Sequence, residues 1–231
     1  MITTKVARKL IALIEKYKLD VSAPAQGNWE GKSEGELWAH VLVQIAVVGR
    51  AASGKALNDV LTDKQDWYER LVSLSEKARA KQIHSRLRKA GVRYASGVLA
   101  DCRKTTAAAY NFKILASHGG PHSYFEKVAT VPLELWRVAV VGDDLAYIKN
   151  KGARDLLIGL GLVADAIAFD RRIVNVLLHL GATLPSDVAT NKPRYKALES
   201  ELLARVCKPC GVTGGHFDRI LFKHYKEIVH K

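Results

Sequence analysis

Cysteine, acid and long apolar sequence are all scarce in this chain, and each shortage excludes something. Three cysteines (Cys102, Cys207, Cys210) in 231 residues are too few and too odd for a disulfide framework, which points to a reducing compartment. No apolar run approaches the roughly 18–20 residues that cross a bilayer, and "HVLVQIAVVG" (40–49) is about half that length. The opening "MITTKVARKLIALIEKYK" interrupts its apolar residues with charge at helical spacing and lacks a small-residue cleavage site. It therefore reads as a helix of a mature intracellular protein rather than an export signal. Convincing strand alternation is missing as well, which leaves helix as the expected element throughout.

The acid deficit is the most telling shortage. Twenty-three acidic residues face 36 lysines and arginines, giving a net charge of +13 and a pI near 9.7. Such an excess suggests a polyanionic partner, most often nucleic acid. It is uneven: between Glu76 and Lys113 ten basic residues stand against two acidic ones, a local balance of +8. A phosphate-facing surface accounts for this stretch, with Arg93 and Lys104 as candidate contacts. A merely solvated helical face would look the same in sequence.

About ten helices are legible between Gly- and Pro-marked loops, so the expected fold is all-α. "SEGELWAHVLVQIAVVGRAA" opens with Ser33 and carries Glu36 three residues on, a capping box before an apolar run. Gly91 ends the helix "SEKARAKQIHSRLRKAG", and Gly181 ends "DRRIVNVLLHLG". A helix is expected over "ASGVLADCRKTTAAAYNFKILAS" (95–117), and another over "HFDRILFKHYKEIVHK" (216–231). No repeat period or low-complexity linker divides the chain. Residues 1–231 are expected to form a single unit, folded as two helical lobes around a cleft with no boundary marked between them.

One helix carries lysines at its unfavourable end. "IKNKGARDLLIGLG" (148–161) places Lys149 and Lys151 where the helix dipole is positive and carboxylates are usual. Nineteen positions after Lys151 stands Asp170, a good N-cap for the next helix. A helix, a turn at "LVADA" and a second helix would bring both side chains to one cleft. A dipole and partial desolvation disfavour the ammonium there. A free amine beside a carboxylate is equipped for nucleophilic attack and Schiff-base chemistry. By spacing alone, an ordinary ion pair or two unrelated surface residues fit as well.

A lysine, an apolar helix, a short turn and "FDRR" together resemble the helix-hairpin-helix DNA glycosylases. "RLRKAGVRYASGVLADCRK" (86–104) is similar to the family's turn before a basic helix, and "GELWAHVLVQIAVVG", with Gln44, to its early core helix. The tail "FDRILFKHYKEIVHK" (217–231) is similar, without a gap, to the "LDLYxWYxxTGKVLK" ending of the archaeal type-2 8-oxoguanine glycosylases. Asp218 falls on that family's Asp, Phe222 on its Trp and Lys231 on its terminal Lys. The chain departs from the family's "GIGxK" hairpin, where Tyr147 and Lys149 replace both glycines.

The resemblance implies a bifunctional DNA glycosylase and abasic-site lyase of base excision repair, excising oxidised purine (8-oxoguanine) from double-stranded DNA. It implies Lys151 as nucleophile, assisted by Asp170. Phe222, Asp218, Lys231 and Gln44 would form the base pocket, and Lys149, Arg171 and Arg172 would hold phosphates with Arg93 and Lys104. No cofactor or metal is expected, nor a membrane, and the protein is expected to be a monomer in the cytoplasm, associated with the nucleoid. The alternative is a helical DNA-binding protein of the same fold without catalysis. A rival pattern, Cys207, Cys210, His224 and His230, has zinc-finger spacing, but its histidines lie inside the matched tail. Trp29, Trp38, Trp67 and Trp136 are read as packing residues, with Trp29 in a loop where an aromatic can instead wedge or stack.

Overall fold

The computed structural model describes residues 1–95 and 97–230, and all regular structure among them is helical. The chain runs α1 (Thr4–Tyr17), α2 (Glu34–Ala46), α3 (Ala52–Val60), α4 (Lys64–Ser73), α5 (Glu76–Lys89) and a 3₁₀ turn (Leu99–Asp101). Then follow α6 (Arg103–Ser117), α7 (Pro121–Ala129), α8 (Glu134–Asp144), α9 (Asn150–Leu160) and α10 (Arg171–His179). α11 (Lys192–Leu202) continues through a π segment (Leu203–Cys207) into α12 (Lys208–Cys210), before α13 (Gly214–Lys223) and α14 (Tyr225–Val229). No helix among the described residues is long and apolar enough to cross a membrane.

Local chemistry sets several of these ends. The Glu36 amide donates to the Ser33 hydroxyl, and the Ser33 amide donates back to the Glu36 carboxylate, so the capping box is complete. Gly91 and Gly181 adopt left-handed φ of 58° and 97° just beyond α5 and α10. Two expected helices differ. The one expected from residue 95 begins only at Arg103, because α6 packs back against α5 and the chain between them is consumed in the reversal. The tail helix breaks at His224, whose buried ring stacks on Tyr17 of α1 with centroids 4.0 Å apart.

Burial divides into two cores. The first holds apolar residues between Trp29 and Ala166; the second holds Ile2–Tyr17 together with residues from Ile167 to Ile228. α1 thus packs with the C-terminal third of the chain, and the backbone passes between cores at 18–28 and again at 166–167. α9 packs on α2 and α8 in the first core, and α10 on α13 and α14 in the second. A buried ion pair joins them: Arg154 of α9 makes two hydrogen bonds to Glu199 of α11, which also accepts from the Ile167 amide at 2.9 Å. Trp38 and Trp67 are core residues, and so is Trp29, packed beside His122 and unavailable as a wedge. Trp136 corrects the expectation, being 57% exposed on the outer face of α8.

Candidate active site

The hairpin between α8 and α9 determines where Lys151 stands. Tyr147 takes a left-handed φ of 65°, and Lys149, the N-cap of α9, is extended. Lys149 Nζ donates to the Gly142 carbonyl in the last turn of α8 at 2.6 Å, where a cation suits the negative end of the dipole. Asn150 donates to the Thr190 carbonyl at 3.2 Å. Lys151 is then the second residue of α9, half-buried, with its amine in an ion pair with Asp155 one turn on. Burial pushes the Lys151 pKa below the ordinary lysine value, opposed by the carboxylates of Asp218 and Asp170 and reinforced by Arg172. The ion pair with Asp155 also favours the ammonium.

Asp170 caps α10 as expected, its Oδ1 accepting from the amides of Arg172 (2.8 Å) and Ile173 (3.0 Å). No hydrogen bond joins it to Lys151 among the described residues; the direct partner is Asp155, and Asp170 acts through space. The i,i+4 spacing of Lys151 and Asp155 was the sequence signal for that partner. Asp218 approaches from α13, whose Gly214 lets the helix start against the 164–168 segment: a Cβ there would lie 2.7 Å from the Ala166 carbonyl oxygen. Burial pushes the Asp218 carboxyl up to about 7, against the Ala168 amide that donates to it at 3.3 Å and with the repulsion of Asp170.

Lys151, Asp155 and Asp170 open on a cleft of about 1110 Å³ between the two cores. One wall comes from Gln44, the 47–51 loop, Arg93 and the hairpin; the other comes from the start of α10, residues 189–190, Phe222 and Tyr225. Six cations line it (Arg50, Arg93, Lys149, Lys151, Arg171, Arg172) against two carboxylates, Asp155 and Asp170. Gln44 Oε1 is buried without a hydrogen-bond partner. Phe222 is 53% exposed, with the Arg172 guanidinium 4.2 Å from its ring centre, so it is a cleft residue rather than core. Arg50 and Asp155 are additions that the sequence reading did not single out.

Other sequence-based expectations fare differently. Lys104 is 1% exposed, and its Nζ donates to the carbonyls of Ala46 and Val48, each at 2.8 Å. It closes the C-terminal end of α2 and cannot reach a phosphate from there. Asp218 stands beside the Lys151–Asp170 pair rather than on the cleft lining. Lys231 lies outside the described residues. Cys207 and Cys210 are buried, with both thiols pushed up by burial, Cys207 to about 12. No group of three potential metal ligands assembles among the described residues, so Cys207, Cys210, His224 and His230 do not form a zinc site there.

Solved structures match nearly the whole chain. An 8-oxoguanine glycosylase/lyase of Methanocaldococcus jannaschii, in complex with 15mer DNA containing 8-oxoguanine, aligns with a TM-score of 0.66 at 15% identity, covering 98% of both chains. The chain has that protein's fold. A second structure of the M. jannaschii glycosylase gives a TM-score of 0.68 at 14% identity, over 97% of this chain and 95% of that one. The 8-oxoguanine DNA glycosylase of Thermotoga maritima gives 0.64 at 17% identity, over 96% and 92%. The all-α, two-lobed architecture is therefore that of helix-hairpin-helix 8-oxoguanine glycosylases. No protein-family model and no curated protein sequence matches the chain.

Proposed function

We propose that the protein is a DNA glycosylase and abasic-site lyase that removes oxidised purine, 8-oxoguanine foremost, from double-stranded DNA. The observation that carries this reading is the convergence of Lys151 and Asp170, from the heads of two helices in two cores, on one cation-lined cleft. A base inside a duplex is unreachable, so the nucleotide must be flipped into the cleft. Arg171, Arg172 and Lys149 hold the flanking phosphates, with the Arg93 donors that its bond to the Gly49 carbonyl leaves free. Phe222 stacks on the extruded base once Arg172 moves off its ring, and the unpartnered Gln44 oxygen accepts a hydrogen bond from the base edge. Asp218, off the cleft lining, acts on the Lys151 amine through its charge rather than on the base.

The Lys151 amine attacks C1′ of the deoxyribose and displaces the base. Asp170 stabilises the oxocarbenium-like sugar electrostatically. Ring opening leaves a Schiff base on Lys151, from which β-elimination breaks the strand. In this reading the protein works as a monomer on chromosomal DNA in the cytoplasm.

Borohydride reduction of a reaction with a duplex containing 8-oxoguanine tests this. Wild-type protein is expected to be trapped as a covalent adduct and Lys151→Gln to give none. Binding without an adduct on any oxidised or abasic duplex supports the rival reading, a non-catalytic DNA-binding protein, which the replacement of both hairpin glycines favours.

A further inference from the structure

Three carboxylates surround the Lys151 amine and one touches it. Asp170 commits Oδ1 to two backbone amides at the head of α10. Asp218 gives Oδ2 to the Ala168 amide. Asp155 pairs with Lys151 Nζ directly and, among the described residues, takes no backbone amide. Its side chain is 26% exposed and opens on the cleft. The pair is made by α9 alone, through the i,i+4 geometry of a helix.

We infer that Asp155 is a second catalytic carboxylate, which takes a proton from the Lys151 ammonium and passes it to the departing base. The inference rests on the glycosylase reading above. Its balance closes. Lys151 starts as the ammonium and Asp155 as the carboxylate, and proton transfer gives the amine and the carboxylic acid. The nitrogen lone pair forms the bond to C1′, while the C1′ to base bond breaks with its electron pair going to the base. Asp155 then protonates the leaving nitrogen and is a carboxylate again. Of the two protons left on Nζ, one moves to O4′ as the sugar ring opens and one stays on the iminium, whose positive charge replaces that of the ammonium. No outside acid or base is needed. The other charges on the cleft or beside the pair are Asp170, Arg171 and Arg172 at the head of α10, Asp218 from α13, Lys149 from the hairpin, and Arg50 and Arg93.

Single-turnover assays with the full chain separate this role from mere charge balance. Asp155→Asn is expected to slow release of 8-oxoguanine about a hundredfold, the usual scale of a lost general acid. Borohydride trapping on a preformed abasic site has no base to protonate and is expected to be undiminished at neutral pH. Its acid limb is expected to shift to lower pH, because removing a neighbouring negative charge lowers the amine pKa. Asp155→Glu, which keeps the acid, is expected to release base about tenfold faster than the Asn variant, a fraction of the general-acid contribution. Base release at the wild-type rate, parallel losses on both duplexes, or equal rates for Asn and Glu would each overturn the role of Asp155. Wild-type protein that is trapped on neither duplex overturns the glycosylase reading itself.

Discussion

Arg79, Arg86, Arg93 and Lys104 lie in the most basic stretch of the chain, and each turns its charge toward backbone carbonyls. Arg79 donates to Leu71 and Leu74 at the end of α4, Arg86 to Val60 at the end of α3, and Arg93 to Gly49 beyond α2. Lys104 serves Ala46 and Val48, and burial depresses its pKa below the ordinary lysine value. Cations placed this way satisfy helix C-termini whose last carbonyls have no partner in the helix. Lys104→Met is accordingly expected to cost about 1–3 kcal/mol by stranding buried acceptors, measured by urea unfolding, and to leave the salt dependence of DNA binding unchanged. Arg171→Ala is expected to do the reverse, flattening that slope by about one unit. Asp218 makes a pH prediction. Its carboxyl is raised to about 7 in the fold from an ordinary value near 4, so the folded protein holds the extra proton between those limits. The stability it contributes is full below pH 4 and lost as pH rises through 7. Unfolding measured from pH 5 to 8 is expected to show this decline in wild type and to flatten in Asp218→Asn.

At the scale of elements, the hairpin before α9 keeps a glycine-like shape without glycine. Tyr147 holds φ at 65° where the hairpin motif it resembles has Gly, while Lys149, at the second glycine position, is extended and needs no such freedom. A side chain in the left-handed region costs about 1–2 kcal/mol, and a β-branched one costs more. Tyr147→Val is thus expected to be less stable than Tyr147→Gly by about 1–2 kcal/mol, read from paired urea curves. Helix starts such as Ser33 and Asp170 were legible because a cap needs only residues two or three positions away. Lys151 and Asp170 were legible together because one helix, one turn and one cap set their relation. The start of α6 at Arg103 and the break at His224 were not, since one depends on packing against α5 and the other on the Tyr17 ring. Lys104 misled for the same reason: its sequence neighbours are basic, whereas its partners lie 56 and 58 residues away. Asp155 was within reach of helical spacing, but Asp170 drew attention as the assisting carboxylate.

For the whole molecule, the division into two cores could not be read along the chain, because α1 contributes to the core built mainly from residues beyond 166. Arg154 and Glu199 join the cores, with side chains 3% and 0% exposed. Breaking such a pair leaves a buried charge alone, so Arg154→Met is expected to destabilise by about 3–5 kcal/mol. Arg154→Met with Glu199→Gln, which removes the stranded charge and keeps an acceptor for the Ile167 amide, is expected to recover part of that loss in denaturant titrations. The adduct-forming rate of this double variant should still fall, since α9 is no longer pinned to α11. Lys151 is rooted in one core and Asp170 heads a helix of the other, so no packing within either core sets the distance between amine and acid. That distance belongs to the joint: two chain crossings, the Arg154–Glu199 and Lys192–Asp143 ion pairs, and the Asn150–Thr190 hydrogen bond among its links. In the proposed reaction, reactivity is therefore stored as alignment, and the stiffness of the seam limits how faithfully the two groups would stay in register under a duplex bearing on both cores at once.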